Sequence, residues 1–487
     1  MTTKRAVTLG SRNESGVGAG DVTTQMTRQD VLANGFNSYK EGYETIEKSE
    51  FGQQFRKLFH YVLFPLTVLV LMPNLVMLLW YAMSKCDGSY SHLLSLFYDR
   101  SIIDVLLEVW SSVPICSLFS ISVIGGYFAW ALFWMKVLPG RRVEGPITPN
   151  GNVPLYKDNG FLHYTVTMVG FTILTVILKS FEMSPSIVYD RLGELLATII
   201  LFSIFFCLFL YVKGLYAPSS TDCGKSGYFI FDYYWGTELY PRVFGIDIKV
   251  FTNCRFGMTV WPLLVCCYAI KSYELWGFVD SMLVSTVLQL VYITKFFIWE
   301  AGYMQSLDII LDRAGFYICW GCLCYLPALY PATSFFLVGH PVVLGNFWAS
   351  IIFGFGIGSI AINYLADAQR QMVRGANGEC LVWGRKPEII RAKYRLESGE
   401  IKESILLASG WWGLSRHFHY VPEILLAFWW SVPALFTHLM PYTYVIYLTI
   451  LLIHRSYRDD HKCGKKYGEF WHEYRRRVPH RIVPYLF

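Results

Sequence analysis

The chain has 487 residues, of which 54% are hydrophobic and only 16% are charged, and its formal net charge is +6. A soluble protein of this length needs more charge to cover its surface, so the composition excludes an ordinary soluble enzyme. Several apolar runs approach the roughly 20 residues that a helix needs to cross a bilayer. The sequence therefore predicts an all-α, polytopic integral membrane protein.

The N-terminal segment is polar and lacks the apolar core of a cleavable signal peptide. We expect residues 1–55 to form a flexible cytosolic tail and residues 56–487 to form one transmembrane domain. The chain has 12 Cys, and many of them lie inside apolar runs, so a disulfide framework is not expected. Cys322 and Cys324 lack a second pair of ligands at zinc spacing, and no metal site is predicted.

About ten membrane spans are predicted along the chain. Their approximate bounds are Tyr61–Met83, Val113–Val137, Gly160–Lys179, Leu195–Val212, Met258–Ile270, Met282–Trp299, Phe316–Val338, Val342–Tyr364, Ile424–Phe436 and Tyr442–His454. An even number of spans places both termini on one side of the membrane. The loops on that side hold most of the Lys and Arg, so the positive-inside rule predicts that both termini are cytosolic.

Three long cytosolic stretches carry aromatic and charged residues, at 138–159, 217–257 and 367–420. Long loops in a compact protein are usually functional. Within the second stretch, acids and bases alternate with aromatic residues between Gly236 and Arg255. The pattern favours an ion-paired structural cap on the cytosolic face over a direct catalytic role.

Acids and phenols surround the seventh predicted span. The acids Glu300, Asp308 and Asp312 precede it, and the phenols Tyr317, Tyr325 and Tyr330 lie inside it. A buried Tyr usually packs in the core, and it becomes a proton donor when a neighbouring group polarises it. An acid at a membrane edge pairs with a base such as Arg313, or supplies protons if it is buried. The residues alone favour core packing for the tyrosines and leave both interpretations of the acids open.

Arg370 and Arg374 lie four residues apart at the end of the eighth predicted span, so they share one helix face. Two guanidinium groups in this arrangement suit a phosphate. By itself, the pair is better explained as a cytosolic membrane anchor.

Two dense polar blocks lie in the C-terminal part of the chain, from Leu406 to Tyr420 and from His454 to Arg481. Charges at a membrane edge need water, partners or an anionic ligand. Arg and Lys bind phosphates, aromatic rings stack on adenine or nicotinamide, and Asp or His hold ribose and amide groups. The blocks predict a cytosol-facing nucleotide pocket at about residues 366–487, without a Gly-rich nucleotide motif. A patch for anionic lipids is the alternative.

Both blocks resemble the signatures of the sterol reductase family. The first contains Ser-Gly-Trp-Trp-Gly at residues 409–413, followed by Arg416-His417 and Tyr420; the second contains Arg458-Asp459, Cys463, Lys466-Tyr467-Gly468 and Val478-Pro479. The resemblance runs from about Phe59 to Phe487. Within the family it is greatest to the sterol Δ7-reductases, through Gly140–Ile147, Trp235–Arg242, Glu300–Tyr303, Asp312–Tyr317 and Cys380–Pro387.

The resemblance implies a ten-helix enzyme of the endoplasmic reticulum membrane. It would use NADPH to reduce the C7=C8 double bond of a 5,7-diene sterol taken from the bilayer. Transferred position by position, the cofactor contacts are Arg370, Arg374, Leu407, Trp412, His419, Tyr420, Asp459, Cys463, Lys466, Tyr467 and Tyr474.

The implied reaction needs a proton donor as well as a cofactor. An unactivated alkene does not accept hydride directly, so protonation of one carbon must first create a cation. Tyr330 is predicted to be the donor or its relay, with Asp459 and Glu300 as partners. The sterol slot is expected among the fifth to tenth spans, open to lipid and dry enough to hold the reacting carbons in place.

Three alternatives remain open from the sequence. The first is a sister reductase that acts on the C14 or side-chain double bond, for which only the shape of the pocket would differ. The second is a membrane methyltransferase using S-adenosylmethionine, since isoprenylcysteine methyltransferases share part of the C-terminal pattern but have fewer spans. The third is a non-enzymatic sterol-binding protein. No nucleic-acid partner is predicted.

Overall fold

The computed structural model describes residues 56–148, 150–395 and 401–486. The predicted cytosolic tail, residues 1–55, lies outside these ranges. Most of the described chain is helical, and the strands form three small antiparallel hairpins. The prediction of an all-α polytopic membrane protein is confirmed.

The helices are numbered α1 to α18 in chain order. They are α1 (Arg56–Lys85), α2 (Tyr90–Ser95), α3 (Ile102–Ser111), α4 (Leu118–Val137), α5 (Gly160–Ser180), α6 (Ile187–Asp190), α7 (Leu192–Tyr216), α8 (Phe229–Trp235), α9 (Ile248–Trp276), α10 (Asp280–Ile298), α11 (Glu300–Tyr303), α12 (Leu307–Ile310), α13 (Phe316–Gly339), α14 (Gly345–Gly375), α15 (Trp411–Leu414), α16 (Tyr420–Ser431), α17 (Thr443–Tyr467) and α18 (Glu469–Arg477). Two 3₁₀ turns, Val432–Ala434 and Met440–Tyr442, lie between α16 and α17.

Within the described ranges, each of the six strands pairs with its neighbour in sequence. They are β1 (Arg141–Glu144), β2 (Leu155–Asp158), β3 (Arg242–Val243), β4 (Ile246–Asp247), β5 (Ile389–Arg395) and β6 (Ile401–Leu407). The pairs β1–β2, β3–β4 and β5–β6 fall in the three stretches predicted to be cytosolic loops.

Eight of the described helices are long and apolar enough to cross a membrane, namely α1, α4, α5, α7, α9, α10, α13 and α14. Each of them overlaps one of the first eight predicted spans. The ninth predicted span corresponds to α16, which has 12 residues before the chain enters a 3₁₀ turn. The tenth corresponds to the first half of α17, whose second half is rich in charged residues. These two segments therefore lack the apolar length of the other eight.

Serine residues begin two of the early helices. The Ser101 hydroxyl accepts a hydrogen bond from the backbone N–H of Asp104 at 3.1 Å, and Ser117 accepts one from Ser120 at 3.1 Å. Each hydroxyl satisfies an N–H that has no partner within its own helix. The local sequence thus fixes where α3 and α4 start.

Three of the described helices contain a segment with the wider π-helical turn, namely Phe59–Leu63 in α1, Phe251–Gly257 in α9 and Phe316–Tyr325 in α13. The last two segments pack against each other. Their contact brings the Asn253 amide nitrogen to 3.2 Å from the Cys322 sulfur. A π turn shifts the side chains that follow it around the helix axis, and such turns are frequent at functional sites.

Backbone contacts join the second of the three long stretches, at 217–257, to the loop before α13. The N–H of Ala314 donates to the carbonyl oxygen of Glu238 at 2.9 Å. Gly236 and Gly315 meet so closely that a Cβ on Gly315 would lie 2.3 Å from the Gly236 nitrogen. Only residues without a side chain allow this approach.

Lys249 fastens the same loop from the start of α9. Its side chain is almost fully buried, and its ammonium group donates to the carbonyl oxygens of Asp308, Ile309 and Asp312 at 3.0, 2.6 and 2.7 Å. An ammonium group has three donors, so all of them are used. Lys249 therefore holds α12 and the loop that follows it against the start of α9.

We expect the Lys249→Met variant to unfold at a lower temperature than the native chain. Methionine keeps much of the volume but leaves three carbonyl oxygens without their donor, and an unsatisfied buried polar group destabilises by about 1–3 kcal/mol. The measurement is the melting midpoint in detergent, followed by tryptophan fluorescence. Lys393→Met, which alters an exposed lysine, is the matched control. Equal midpoints for the two variants would contradict the assigned role of Lys249.

Candidate active site

A cavity of about 600 Å³ lies between α9, α10, α13, α14, α16 and α17, and β6 and α18 contribute to its wall. All eleven residues predicted to contact the cofactor line it, namely Arg370, Arg374, Leu407, Trp412, His419, Tyr420, Asp459, Cys463, Lys466, Tyr467 and Tyr474. The predicted proton donor, Tyr330, also lines it. The structure therefore brings these twelve residues together around one space.

One face of α17 follows the cavity along most of the helix. Its first half contributes Tyr444, Leu448, Leu451 and Leu452, and its second half contributes Arg455, Asp459, Lys462, Cys463 and Lys466. Steps of three and four residues keep these side chains on one side of the helix. The cavity accordingly changes from an apolar end to a charged end.

The C-terminal part of α14 supplies the facing wall of the charged end. The guanidinium of Arg370 lies 4.1 Å above the Trp412 ring, and it bonds Asp367 at 3.2 Å. One turn further on, the Arg374 Nε donates to the carbonyl oxygen of Ile405 at 3.3 Å. Each guanidinium group has five N–H donors, so both keep donors available for a ligand.

Aromatic residues stabilise the cations at this end. The Trp412 indole N–H donates to the carbonyl oxygen of Ala366 at 2.8 Å, which fixes the ring beneath Arg370. The ammonium group of Lys466 lies 4.1 Å from the centre of the Tyr394 ring, a residue of β5. Cation–π contacts of this kind hold a charged side chain in one orientation.

Asp459 lies beside a cluster of imidazole and phenol rings. Its carboxylate is 3.8 Å from the His417 Nε2 and 3.8 Å from the Cys463 sulfur. His417 stacks on Tyr420 with ring centres 5.1 Å apart, and His419 lies 4.4 Å from the same Tyr420 ring. Burial lowers the pKa of His417 to about 4, and the nearby Asp459 only partly opposes this effect.

We expect the melting midpoint of the protein to fall as the pH is lowered from 6.5 to 4. The unfolded chain binds a proton at His417 with an ordinary pKa of 6.5, whereas the folded chain binds it only near pH 4. Protonation between these values therefore favours the unfolded state. His417→Gln should flatten the dependence in this window, and His472→Gln, at an exposed position, should not. Parallel curves for the native chain and His417→Gln would contradict the prediction.

The apolar end is built around an aromatic cluster. Tyr330 packs on Tyr444 with ring centres 4.6 Å apart and meets the edge of Trp261 at 5.1 Å. Trp261 itself is fully buried and donates its indole N–H to Gln289 at 2.8 Å. These rings give the Tyr330 side chain a fixed place in the cavity wall.

Four further polar residues, none of them predicted from the sequence, line the cavity between its two ends. The Tyr292 hydroxyl donates to the Glu423 carboxylate, and the Lys295 ammonium donates to the Asn363 side chain. Asn363 also donates to the carbonyl oxygen of His419 at 2.9 Å. Glu423 lies three residues after the Arg416–Tyr420 motif, and Lys295 interrupts an apolar span. These two positions were the signals in the sequence that could have identified Glu423 and Lys295.

Glu300 does not line the cavity. Its carboxylate is buried and forms an ion pair with Arg255, which also donates to Asn159 at 2.9 Å. The side chain of Arg255 is likewise fully buried. The structure thus places Glu300 in an ion pair behind the wall of the site, apart from Tyr330 and Asp459.

The charged end of the cavity fits an extended anionic ligand that carries a flat ring system. The cations that face the space include those on Arg370, Arg374, Lys462 and Lys466, and such groups suit phosphates. The His419 Nδ1 is buried and has no hydrogen-bond partner among the described residues, so it can serve a ligand. The adjoining apolar end fits a rigid hydrocarbon. Fold and cavity together define a polytopic membrane protein with one site for a nucleotide and an apolar substrate.

A family model described as the ergosterol biosynthesis ERG4/ERG24 family matches residues 48–487, and the chain belongs to this sterol reductase family. The family predicted from the C-terminal motifs is confirmed, and so is the prediction of an oxidoreductase. Reduction requires a source of hydride, and a reduced nucleotide fits the charged end of the cavity.

Three relatives illustrate the range of the family. The chain is 51% identical to a 7-dehydrocholesterol reductase of Arabidopsis thaliana over 425 residues, which cover 87% of this chain and 96% of the relative. It is 33% identical to a 7-dehydrocholesterol reductase of Xenopus laevis over 86% of this chain and 92% of the relative. It is also 32% identical to a Delta(14)-sterol reductase of Methylotuvimicrobium alcaliphilum over 87% of this chain and 94% of the relative.

Proposed function

We propose that this enzyme reduces the C7=C8 double bond of a 5,7-diene sterol with NADPH as the hydride donor. The observation that carries the proposal is the 51% identity to a 7-dehydrocholesterol reductase, against 32% to a Delta(14)-sterol reductase over the same share of this chain. The cavity supports it, because a charged end and an apolar end meet in one space.

The residues at the charged end suit the phosphates of NADPH. Arg370 and Arg374 lie one turn apart on α14, and Lys466 faces them from α17. The Trp412 ring is fixed beneath Arg370, and its centre lies 4.9 Å from the centre of the His419 ring. Both rings offer flat surfaces to an aromatic part of the cofactor. When bound, NADPH supplies the hydride.

The residues at the apolar end suit the sterol and its protonation. Leu448, Leu452 and the aromatic cluster exclude water, which protects a carbocation from hydration. Tyr330, which lines this end, would give its phenolic proton to an alkene carbon, and a proton from solvent would then restore the phenol. Asp459, at the charged end, is our proposed partner for the cofactor and for this proton transfer.

We further propose that the enzyme resides in the endoplasmic reticulum membrane with both termini in the cytosol. The support is the distribution of charge, since Lys and Arg concentrate in the segments that surround the charged end of the cavity. This orientation would expose the cofactor end to the cytosol. The apolar end would then lie at membrane depth, where a sterol can enter from the bilayer.

A second candidate function is reduction of the C14 double bond. It is favoured by the 32% identity to a Delta(14)-sterol reductase over 87% of this chain. Both reactions need a buried proton donor and a hydride beside an apolar slot, so the same residues would serve. The two candidates differ only in which sterol carbon the slot places next to Tyr330.

The test is turnover by the purified protein in detergent with NADPH and separate sterols unsaturated at C7, C14 or C24. We expect reduction of the C7-unsaturated sterol and stoichiometric loss of NADPH, with products identified by mass spectrometry. Reduction of the C14-unsaturated sterol alone would establish the second candidate. A melting midpoint raised by S-adenosylmethionine and unchanged by NADPH would overturn the reductase proposal altogether.

A further inference from the structure

Two sets of polar contacts, called clamps below, hold α17 through the residues on either side of Asp459. Arg458 makes a two-point contact with Asp312, whose side chain is fully buried. Asp460 accepts a hydrogen bond from the Trp471 indole at 3.0 Å and from Arg481 at 3.3 Å. Asp459 lies between these two residues in sequence and faces the cavity.

Consecutive residues of an α-helix point about 100° apart around its axis. Arg458 and Asp460 therefore leave α17 on opposite sides of the direction taken by Asp459. A rotation of α17 in either sense would break one of the two clamps. The same rotation would turn Asp459, and Cys463 one turn later, away from the cavity.

The partners of both clamps are themselves fixed. The backbone of Asp312 is bound by Lys249 at 2.7 Å, and the next residue, Arg313, donates to the carbonyl oxygens of Gly224 and Thr237 at 3.0 and 2.9 Å. On the other side, Arg416 lies 3.7 Å from Asp460 and donates to the Val478 carbonyl oxygen at 2.7 Å. The first clamp thus leads to the N-terminal half of the protein, and the second to the C-terminal block.

We propose that Asp312 and Asp460 are positioning residues that set the rotation of α17 and thereby turn Asp459 toward the reacting groups. The inference rests on the proposed function and adds two residues to it. Neither residue lines the cavity, so each acts through α17. Displacement of a reacting group by about 1 Å can slow a reaction by about a hundredfold.

The activity test compares the native chain with Asp312→Asn, Arg458→Gln, the double variant and Asp460→Asn, each assayed with the sterol that the native chain reduces. We expect Asp312→Asn and Asp460→Asn to lower kcat at least tenfold. We also expect the primary isotope effect with NADPH deuterated at C4 to change, because displacement of Asp459 alters the proton-transfer or hydride-transfer step and thereby how far hydride transfer limits turnover. Loss of folded protein alone would lower kcat and leave the isotope effect unchanged.

The double variant tests whether Asp312 and Arg458 act as a pair. If they do, Asp312→Asn/Arg458→Gln should be no slower than the slower single variant, whereas independent roles would multiply their effects. Glu194→Gln is the matched control, since Glu194 is a buried acid paired with Arg191 and is absent from the cavity wall. It should keep kcat within twofold and an unchanged isotope effect.

A second measurement reads the rotation of α17 without requiring sterol turnover. The rate of Cys463 alkylation, followed by peptide mass spectrometry with Cys380 as an internal reference, should change at least fivefold in Asp312→Asn and in Asp460→Asn. If the native chain reduces no sterol, the proposed function fails while this rate still tests the clamps. An unchanged alkylation rate in both variants, or kcat within twofold of native, would overturn the inference. Should Asp312→Asn fail to fold, Asp460→Asn and Arg458→Lys decide it by the same criteria.

Discussion

Replacing Arg374 by Ala is expected to raise the KM for NADPH by about 10- to 100-fold. A hydrogen bond to a charged group contributes about 1.5–3 kcal/mol, and each 1.4 kcal/mol is a factor of ten. Arg374 lines the charged end of the cavity on the same helix face as Arg370, and Ala removes every N–H donor. At saturating NADPH, kcat should change much less, because this guanidinium lies away from Tyr330. Initial rates measured over a range of NADPH concentrations check the expectation.

Arg385→Ala is the matched control for this variant. Arg385 is an exposed arginine in the segment that follows α14, and it is absent from the cavity wall. It should leave the KM for NADPH within twofold of native. Unchanged cofactor kinetics in Arg374→Ala, together with a new dependence of activity on anionic lipid, would instead support the lipid patch considered from the sequence.

The features of the fold that follow from local periodicity could be predicted. Apolar runs located the first eight spans, since a bilayer requires about 20 apolar residues in sequence. The ninth and tenth segments are different: α16 has 12 residues, and α17 changes from apolar to charged along its length. The burial of α16 and α17 depends on how distant segments pack around the cavity, and a short stretch of sequence carries no information about that packing.

In the site, too, features set by local spacing were predicted from the sequence, and features set by tertiary packing were not. Arg370 and Arg374 were identifiable because a spacing of four residues defines one helix face. The Tyr292–Glu423 hydrogen bond joins residues 131 positions apart, and only the packing of α10 against α16 creates it. Glu300 was chosen for its place at a membrane edge, and the structure pairs it with Arg255 instead. Sequence identifies candidate charges, whereas their partners follow from tertiary contacts.

Tyr330→Phe is expected to lower kcat by about a hundredfold or more and to leave the KM for NADPH unchanged. The variant removes only the phenolic O–H, and general acid catalysis contributes about 10²- to 10⁴-fold. The ring contacts with Tyr444 and Trp261 involve no hydroxyl, so the wall of the cavity should persist. The measurement is kcat with the reducible sterol at saturating NADPH, together with the solvent deuterium isotope effect.

Tyr325→Phe is the control for this substitution, since Tyr325 lies on the same helix, packs against Tyr447 and is absent from the cavity wall. It should retain kcat within twofold. Full turnover by Tyr330→Phe would remove Tyr330 from the mechanism. Tyr292→Phe and Glu423→Gln then become the decisive variants, because that pair is a phenol–carboxylate contact on the cavity wall. A hundredfold loss there, with Tyr330→Phe active, would transfer the proton-donor role to the junction between the two ends of the cavity.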